Sequence, residues 1–213
     1  GCRLSTEDSI VSNKLANAFF FLSGLCGNVP AYYNLASNLL EKNITSKKTR
    51  KAFVYMNKAA SLGSPEAQNA LGIMYAKGIG TTIDMKSAVD WYRRGAASGN
   101  VGAMRNLGYC YHAGDGVAVD YLRAIELYST AIDAGDPDAL YNLGLMFYNG
   151  MGVEKNHVVA CEMFEDAAEQ NVSDASYMVG VCLQGKGMPI EAAEWFQRAS
   201  QKRDPDLMRK WSQ

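Results

Sequence analysis

A period of 36 residues runs through most of this sequence. Four alanines mark it, each 36 positions after the last: Ala67, Ala103, Ala139 and Ala175. Leucine or valine follows each alanine by four positions and glycine by five, and a Gly-x-Gly loop follows the first three alanines. Self-similarity at a fixed period is typical of repeat architectures, in which each unit packs mainly on its neighbours.

Each unit is predicted to form two helices. In the first helix, small or apolar residues recur at spacings of three and four, which places them on one helical face. Ser64-Pro65-Glu66 and Asp136-Pro137-Asp138 each supply an N-cap oxygen, a proline and an acid suited to a helix start. The second helix is predicted to begin after the Asp84 position and to end at the Gly99 position, since glycine accepts the left-handed conformation. A glycine inside a helix costs up to about 1 kcal/mol, so Gly72 and its copies predict a close approach between helices.

This register predicts the organisation of the chain. An N-terminal segment and capping helix are expected over 1–30, and the start of a C-terminal capping helix over 204–213. The loop of the last unit is four residues shorter than the others. The five predicted repeats between the caps are 31–66, 67–102, 103–138, 139–174 and 175–203.

Residues 67–102 follow the pattern A-x-x-x-L-G-x-x-Y-x-x-G-x-G-x-x-x-D-x-x-x-A-x-x-W-Y-x-x-A-A-x-x-G. This pattern resembles the Sel-1-like repeat, a relative of the tetratricopeptide repeat. The resemblance covers residues 31–211 and is most specific over 67–174. It implies an all-α fold, a right-handed superhelical solenoid of antiparallel helix pairs whose first helices line a concave face.

Composition argues against several classes of function. The 213 residues include 21 Lys and Arg against 22 Asp and Glu, a net charge of -1. We therefore expect no nucleic-acid partner, because such binding needs a broad basic surface. We also expect no transmembrane segment, because no apolar run approaches the roughly 20 residues that a spanning helix needs.

Chemical motifs are equally sparse. The two histidines, His112 and His157, have no Cys or carboxylate at metal-ligand spacing, so we expect no metal and no cofactor. The sequence carries no nucleophile elbow and no zinc-protease motif, and its Gly-x-Gly loops lack the remainder of a phosphate-binding motif. We therefore expect that the protein is not an enzyme.

Three of the cysteines suggest specific roles. Cys161 and Cys182 should lie level across an antiparallel helix turn, which allows either a disulfide or two buried thiols. Gly1-Cys2 matches the junction at which a bacterial lipoprotein receives its lipid, so Cys2 is a candidate lipidation site that would tether the chain to an envelope membrane. The alternative for Cys2 is an arbitrary boundary of the sequence.

The inward positions of the first helices are the candidate binding site. By analogy with the tetratricopeptide repeat, we expect another protein to bind on the concave face. Tyrosine is frequent there, and tyrosine is, like arginine, a residue enriched at binding hot spots, although some of these rings could instead fill gaps between neighbouring helices. A long, shallow groove suits a protein segment or domain better than a metabolite. The predicted partner-binding residues are Tyr33, Asn69, Ile73, Arg105, Tyr109, His112, Tyr141, Leu145, Tyr148 and Tyr177.

The resemblance implies several roles for such a fold. They are adaptors of endoplasmic-reticulum quality control, periplasmic regulators of signalling, assembly lipoproteins of polysaccharide export, and immunity proteins against lipase effectors. The compact size and Cys2 favour a protein of the bacterial cell envelope or periplasm. We expect an inhibitor or immunity-type protein that occludes a partner enzyme such as a secreted lipase effector. The alternative is a scaffold, adaptor or regulator of envelope assembly or signalling.

Overall fold

A computed structural model describes residues 29–41 and 45–202 of the chain. The described residues form ten α-helices and no strand, so the predicted all-α solenoid class is confirmed. Residues 1–28 of the expected N-terminal segment, the expected C-terminal cap and the candidate lipidation site at Cys2 lie outside the described residues, whereas residues 29 and 30 begin the first described helix. The helices are α1 Val29–Glu41, α2 Ser46–Ser61, α3 Pro65–Lys77, α4 Met85–Ala97, α5 Val101–Ala113, α6 Tyr121–Asp133, α7 Pro137–Asn149, α8 His157–Glu169, α9 Ser173–Gly185 and α10 Pro189–Lys202.

The predicted helix boundaries are confirmed by the caps. The Ser64 hydroxyl accepts a hydrogen bond from the Ala67 amide at 3.2 Å, which begins α3. One oxygen of Asp84 accepts the Ser87 amide at 3.1 Å, which begins α4. Gly99, just past the end of α4, has φ 84°, the left-handed conformation that favours glycine. Local chemistry therefore sets where α3 begins and where α4 begins and ends.

The chain forms two compact units. The first holds the described residues up to Leu107 together with Asp115–Ala118, and the second holds Gly108–Gly114 and the described residues from Val119 onward. Small side chains let the helices pack closely in both units. The core of the first unit includes Tyr32, Ala36, Ala52, Met56, Leu71 and Met74. The core around α8 and α9 in the second unit includes Ala160, Phe164, Ala167, Ala175 and Val179.

The predicted close approach at the helix glycines is confirmed. A Cβ atom placed on Gly72 would lie 2.5 Å from Cε1 of Tyr92, so the ring occupies the space that a side chain would need. Three other glycine and ring pairs repeat this contact: Gly108 with Tyr128, Gly144 with Phe164, and Gly180 with Phe196. In the first repeat the two equivalent positions are held by Ala36 and Met56, which lie in one core cluster. In this repeat, alanine therefore stands in place of the glycine, and the flexible side chain of methionine stands in place of the ring.

A disulfide joins two consecutive repeats in the second unit. Cys161 of α8 is bonded to Cys182 of α9, with a Cα–Cα distance of 5.9 Å and a sequence separation of 21. Both residues lie in the buried core around Phe164. Cys110 of α5 is a buried thiol.

Candidate protein-binding face

The structure divides the ten predicted binding residues between the two units. Six of them lie in the second unit, on the end of α5 and on α7 and α9: Tyr109, His112, Tyr141, Leu145, Tyr148 and Tyr177. We call Tyr109, Tyr141, Tyr148 and Tyr177 the tyrosine face. Tyr109 is 49% exposed and Tyr177 is 41% exposed, which is high for large aromatic side chains.

The other members of this set are partly buried. Tyr141, Leu145 and Tyr148 pack against the core around Phe164. The Tyr141 ring lies 5.8 Å from the Phe164 ring, and the Tyr148 ring lies 6.3 Å from it, measured between centroids. These two tyrosines therefore help to pack α7 against α8, which agrees with the alternative that some of the rings fill gaps between helices. Only part of each ring is exposed to solvent.

The His112 side chain lies between Tyr109 and the loop that follows α7. Its Nε2 atom lies 3.1 Å from Sδ of Met151, and its ring lies 6.2 Å from the Tyr109 ring and 6.4 Å from the Tyr121 ring. Within the described residues, Nδ1 is buried without a hydrogen-bond partner. Burial lowers the pKa of the imidazole, because a charged ring would lose hydration. His112 is therefore neutral at neutral pH and contributes an aromatic contact.

Two residues of this surface were missed by the sequence prediction. Tyr121, the first residue of α6, is 36% exposed and contacts His112. In the next repeat, tyrosine occupies the position of His112 and histidine occupies the position of Tyr121. The rings of these residues, Tyr148 and His157, lie edge to face with centroids 4.6 Å apart. Tyr148 lies 36 positions after His112, and His157 lies 36 positions after Tyr121. The repeat register could therefore have identified Tyr121 and His157.

The remaining predicted residues lie in the first unit and form a separate set. The side-chain amide of Asn106 donates a hydrogen bond of 2.8 Å to Oδ1 of Asn69, which ties α3 to α5. Tyr33 packs partly against the core of its unit. Ile73 and Arg105 are partly exposed. Asn69 therefore has a structural partner in the same unit.

Over residues 29–41 and 45–202, no group of three or more His, Cys, Asp or Glu side chains is placed to hold a metal ion. Over the same residues, no helix has the length and hydropathy needed to span a bilayer.

Comparison with known proteins identifies one family. The Sel1 repeat profile matches residues 29–64, 65–100, 101–136, 137–172 and 173–204. No curated protein matches the chain.

Several solved structures share the fold. A Sel1 repeat protein from Oxalobacter formigenes is 28% identical with a TM-score of 0.75, over 86% of this chain and 76% of its own. A protective antigen of uropathogenic Escherichia coli with the same repeat fold is 26% identical with a TM-score of 0.59, over 87% of this chain. The match covers 48% of that antigen, so this chain spans about half of its length. An immunity protein from Pseudomonas aeruginosa is 20% identical with a TM-score of 0.58, over 80% of this chain and 64% of its own, and shows the fold alone.

Proposed function

This chain belongs to the Sel1 repeat family, whose solenoid fold binds proteins, and we propose that it is a non-enzymatic binding protein that uses its tyrosine face. The observation that carries the proposal is the exposure of Tyr109 and Tyr177 on first helices, at 49% and 41%. A partner that covers these rings would remove a large apolar area from water and could still hydrogen-bond each hydroxyl. The partly buried Tyr141 and Tyr148 would add the exposed part of their rings to the contact.

The side chains on this face favour binding over catalysis. The tyrosine face offers phenol rings, and the neighbouring predicted residues add the aliphatic side chain of Leu145 and the neutral imidazole of His112. Such groups recognise a partner by shape, buried area and single hydrogen bonds. We therefore propose that the protein acts by covering part of a partner's surface.

We propose that the protein works in the bacterial envelope or periplasm as an inhibitor or immunity-type protein that occludes an enzyme such as a secreted lipase effector. The Cys161–Cys182 bond supports such a compartment, because disulfides persist mainly in oxidising environments. The Pseudomonas aeruginosa immunity protein has a similar fold, which makes the geometry compatible with that role. Lipidation at Cys2 would keep the protein at a membrane surface.

A scaffold or adaptor is the second candidate. One observation favours it, namely that the ten predicted contact residues fall in two compact units, each with its own set. A protein with two such sets could hold two partners. An inhibitor should instead bind one enzyme tightly and abolish its activity.

The test compares two double variants in a pull-down from the native envelope fraction. Tyr109→Ala/Tyr177→Ala removes the exposed rings of the tyrosine face. The matched control, Leu122→Ala/Val158→Ala, removes two side chains of α6 and α8 that are 68% and 65% exposed. We expect the tyrosine variant to lose a stoichiometric enzyme partner, with affinity reduced about tenfold or more, and the control to retain it.

The outcome separates the candidates. An enzyme that loses activity when it binds the wild type supports the inhibitor. Two partners bound at once support the scaffold. If both variants retain the same partners, the tyrosine face is not the binding site.

A further inference from the structure

The second helix of the first repeat is longer than its counterparts. α2 has 16 residues, whereas α4, α6 and α8 each have 13. The added turn lies at the N-terminus and consists of Ser46, Lys47 and Lys48. Lys48 occupies the repeat position at which Asp84 caps α4, one period later. The first repeat therefore places a cationic turn where its neighbours begin with an acidic or amide cap.

This turn begins a strongly basic segment in a chain of nearly balanced charge. From residue 42 to residue 65 the sequence has no acid. Lys47, Arg50 and Lys51 are exposed, and none forms an ion pair with a carboxylate among the described residues. Cations near a helix N-terminus are unfavourable because the helix dipole is positive there. A local preference broken in this way points to a functional reason for the charges.

The same turn borders a groove of about 1280 Å³ in the first unit. Lys47, Arg50 and Lys51 line it together with the aromatic and aliphatic side chains of Phe53 and Val54. Thr81, from the loop between α3 and α4, also lines the groove and supplies a hydroxyl. We call this the basic groove.

The loop beside the groove is held against α2 by a glycine. Gly80 has φ 75°, and a Cβ atom on it would collide with the backbone carbonyl of Thr49 and press on Cβ of Phe53. Only a residue without a side chain allows this approach. The groove therefore has a fixed wall on the side of Thr81.

We propose that the basic groove binds an acidic segment of a partner protein, whose carboxylates meet Lys47, Arg50 and Lys51 while its apolar side chains contact Val54. The groove of about 1280 Å³ has room for a stretch of polypeptide. This inference rests on the proposed protein-binding function and adds a second contact region, chemically unlike the tyrosine face.

Charge complementarity determines the chemistry of the occupant. Arg50 can hold a carboxylate by two parallel hydrogen bonds, and the lysines act as point charges. Carboxylates near the start of α2 would also offset the unfavourable dipole interaction of the added turn. Because these cations are exposed, salt should weaken the binding strongly.

The experiment uses the purified full chain and a short fluorescein-labelled peptide of alternating glutamate and leucine. Its anisotropy is followed at salt concentrations from about 50 mM to about 300 mM. The test variant is Lys47→Glu/Arg50→Glu/Lys51→Glu. The matched control, Lys86→Glu/Lys155→Glu/Lys186→Glu, changes three exposed lysines outside the groove and alters the net charge equally.

We expect the peptide to bind the wild type and to lose affinity about tenfold or more in the test variant, but less than about twofold in the control. The test variant should remain folded, because all three side chains are exposed and glutamate is favoured at residue 47 in the first turn of the helix, and circular dichroism checks this. Val54→Asn should weaken binding about threefold, since Val54 is 58% exposed and has a contact, not a core, role. The same peptide with lysine in place of glutamate should not bind.

Three results would overturn the inference: no binding of the acidic peptide, equal loss in both triple variants, or groove-dependent binding only to phosphatidylserine vesicles, which would indicate a membrane surface. This test contains no native partner, so its failure is distinct from failure of the proposed function. If the peptide does not bind but partner capture still depends on Tyr109 and Tyr177, the inference falls and the tyrosine face stands.

Discussion

Replacing Gly144 by alanine tests whether the glycine and ring contacts set the helix spacing. A Cβ atom on Gly144 would lie 2.8 Å from Cε1 of Phe164 and 3.3 Å from Cβ of Met163. Phe164 is fully buried, so its ring has no free space into which to move. The new methyl group must therefore push α7 away from α8 or force the ring out of its preferred rotamer.

Two opposing effects decide the sign of the change. Alanine gains about 1 kcal/mol over glycine in the interior of a helix. Overpacking a core that cannot yield costs about 1–3 kcal/mol. We expect Gly144→Ala to lower the free energy of unfolding by about 1 kcal/mol net, because the steric effect exceeds the helix preference.

Gly185 provides the matched control for helix preference. It is the last residue of α9, and a Cβ atom there would meet nothing within 4 Å. Gly185→Ala should therefore raise the free energy of unfolding, by about 0.5 kcal/mol at this helix end. The two alanine substitutions are expected to have opposite signs.

The first repeat suggests a rescue. Because Ala36 and Met56 occupy the equivalent positions there, Gly144→Ala/Phe164→Met should lose less stability than the sum of its single substitutions. The coupling energy for a direct contact of this kind is about 0.5–3 kcal/mol.

Urea unfolding followed by circular dichroism measures these changes. A shift of the midpoint at constant slope reports stability alone. If Gly144→Ala stabilises the protein as Gly185→Ala does, the ring does not require the glycine and the reasoning is refuted. If the double variant shows no coupling, the first repeat owes its alanine and methionine to another cause.

Two further predictions concern Cys161, Cys182 and His112. Cys161→Ala/Cys182→Ala should lower the free energy of unfolding by about 3 kcal/mol, from the loop entropy of a 21-residue separation, as measured in urea with and without reductant. A wild type insensitive to reductant would contradict the bond. Burial lowers the pKa of His112 below 6.5. As the pH falls, the unfolded chain therefore binds a proton at this residue at a higher pH than the folded chain does, and the free energy of unfolding decreases. His112→Gln should flatten this dependence between about pH 7.5 and about pH 5.5 in thermal unfolding, and an unchanged slope would exclude His112 as its source.

The helix pairs were predictable because the signals that define them are local. Ser64, Asp84 and Gly99 act within a few residues of their own position, and the 36-residue period repeats them. The same reasoning did not find the added turn of α2. The positions of the loop glycines Gly78 and Gly80 hold Lys42 and Ile44 in the first repeat, so the usual loop signal is missing there.

The candidate site was less predictable because exposure depends on distant residues. The repeat register places Tyr141 and Tyr177 at equivalent positions, yet their surroundings differ. Tyr141 packs against the core around Phe164, whereas Tyr177 is 41% exposed although its ring lies 5.3 Å from the Phe196 ring. No pattern in the helix that carries a tyrosine reveals how fully its neighbour covers the ring.

The disulfide between α8 and α9 also has a mechanical consequence. If the chain is pulled from its C-terminal end, the residues between Cys161 and Cys182 lie inside a covalent loop and bear no tension. A separation of 21 residues corresponds to roughly 70 Å of extended chain, which stays hidden until the bond is reduced. Force spectroscopy should therefore record a shorter extension for the oxidised protein than for the reduced one. The junction between the last two repeats is therefore protected from the applied force for as long as the bond is intact.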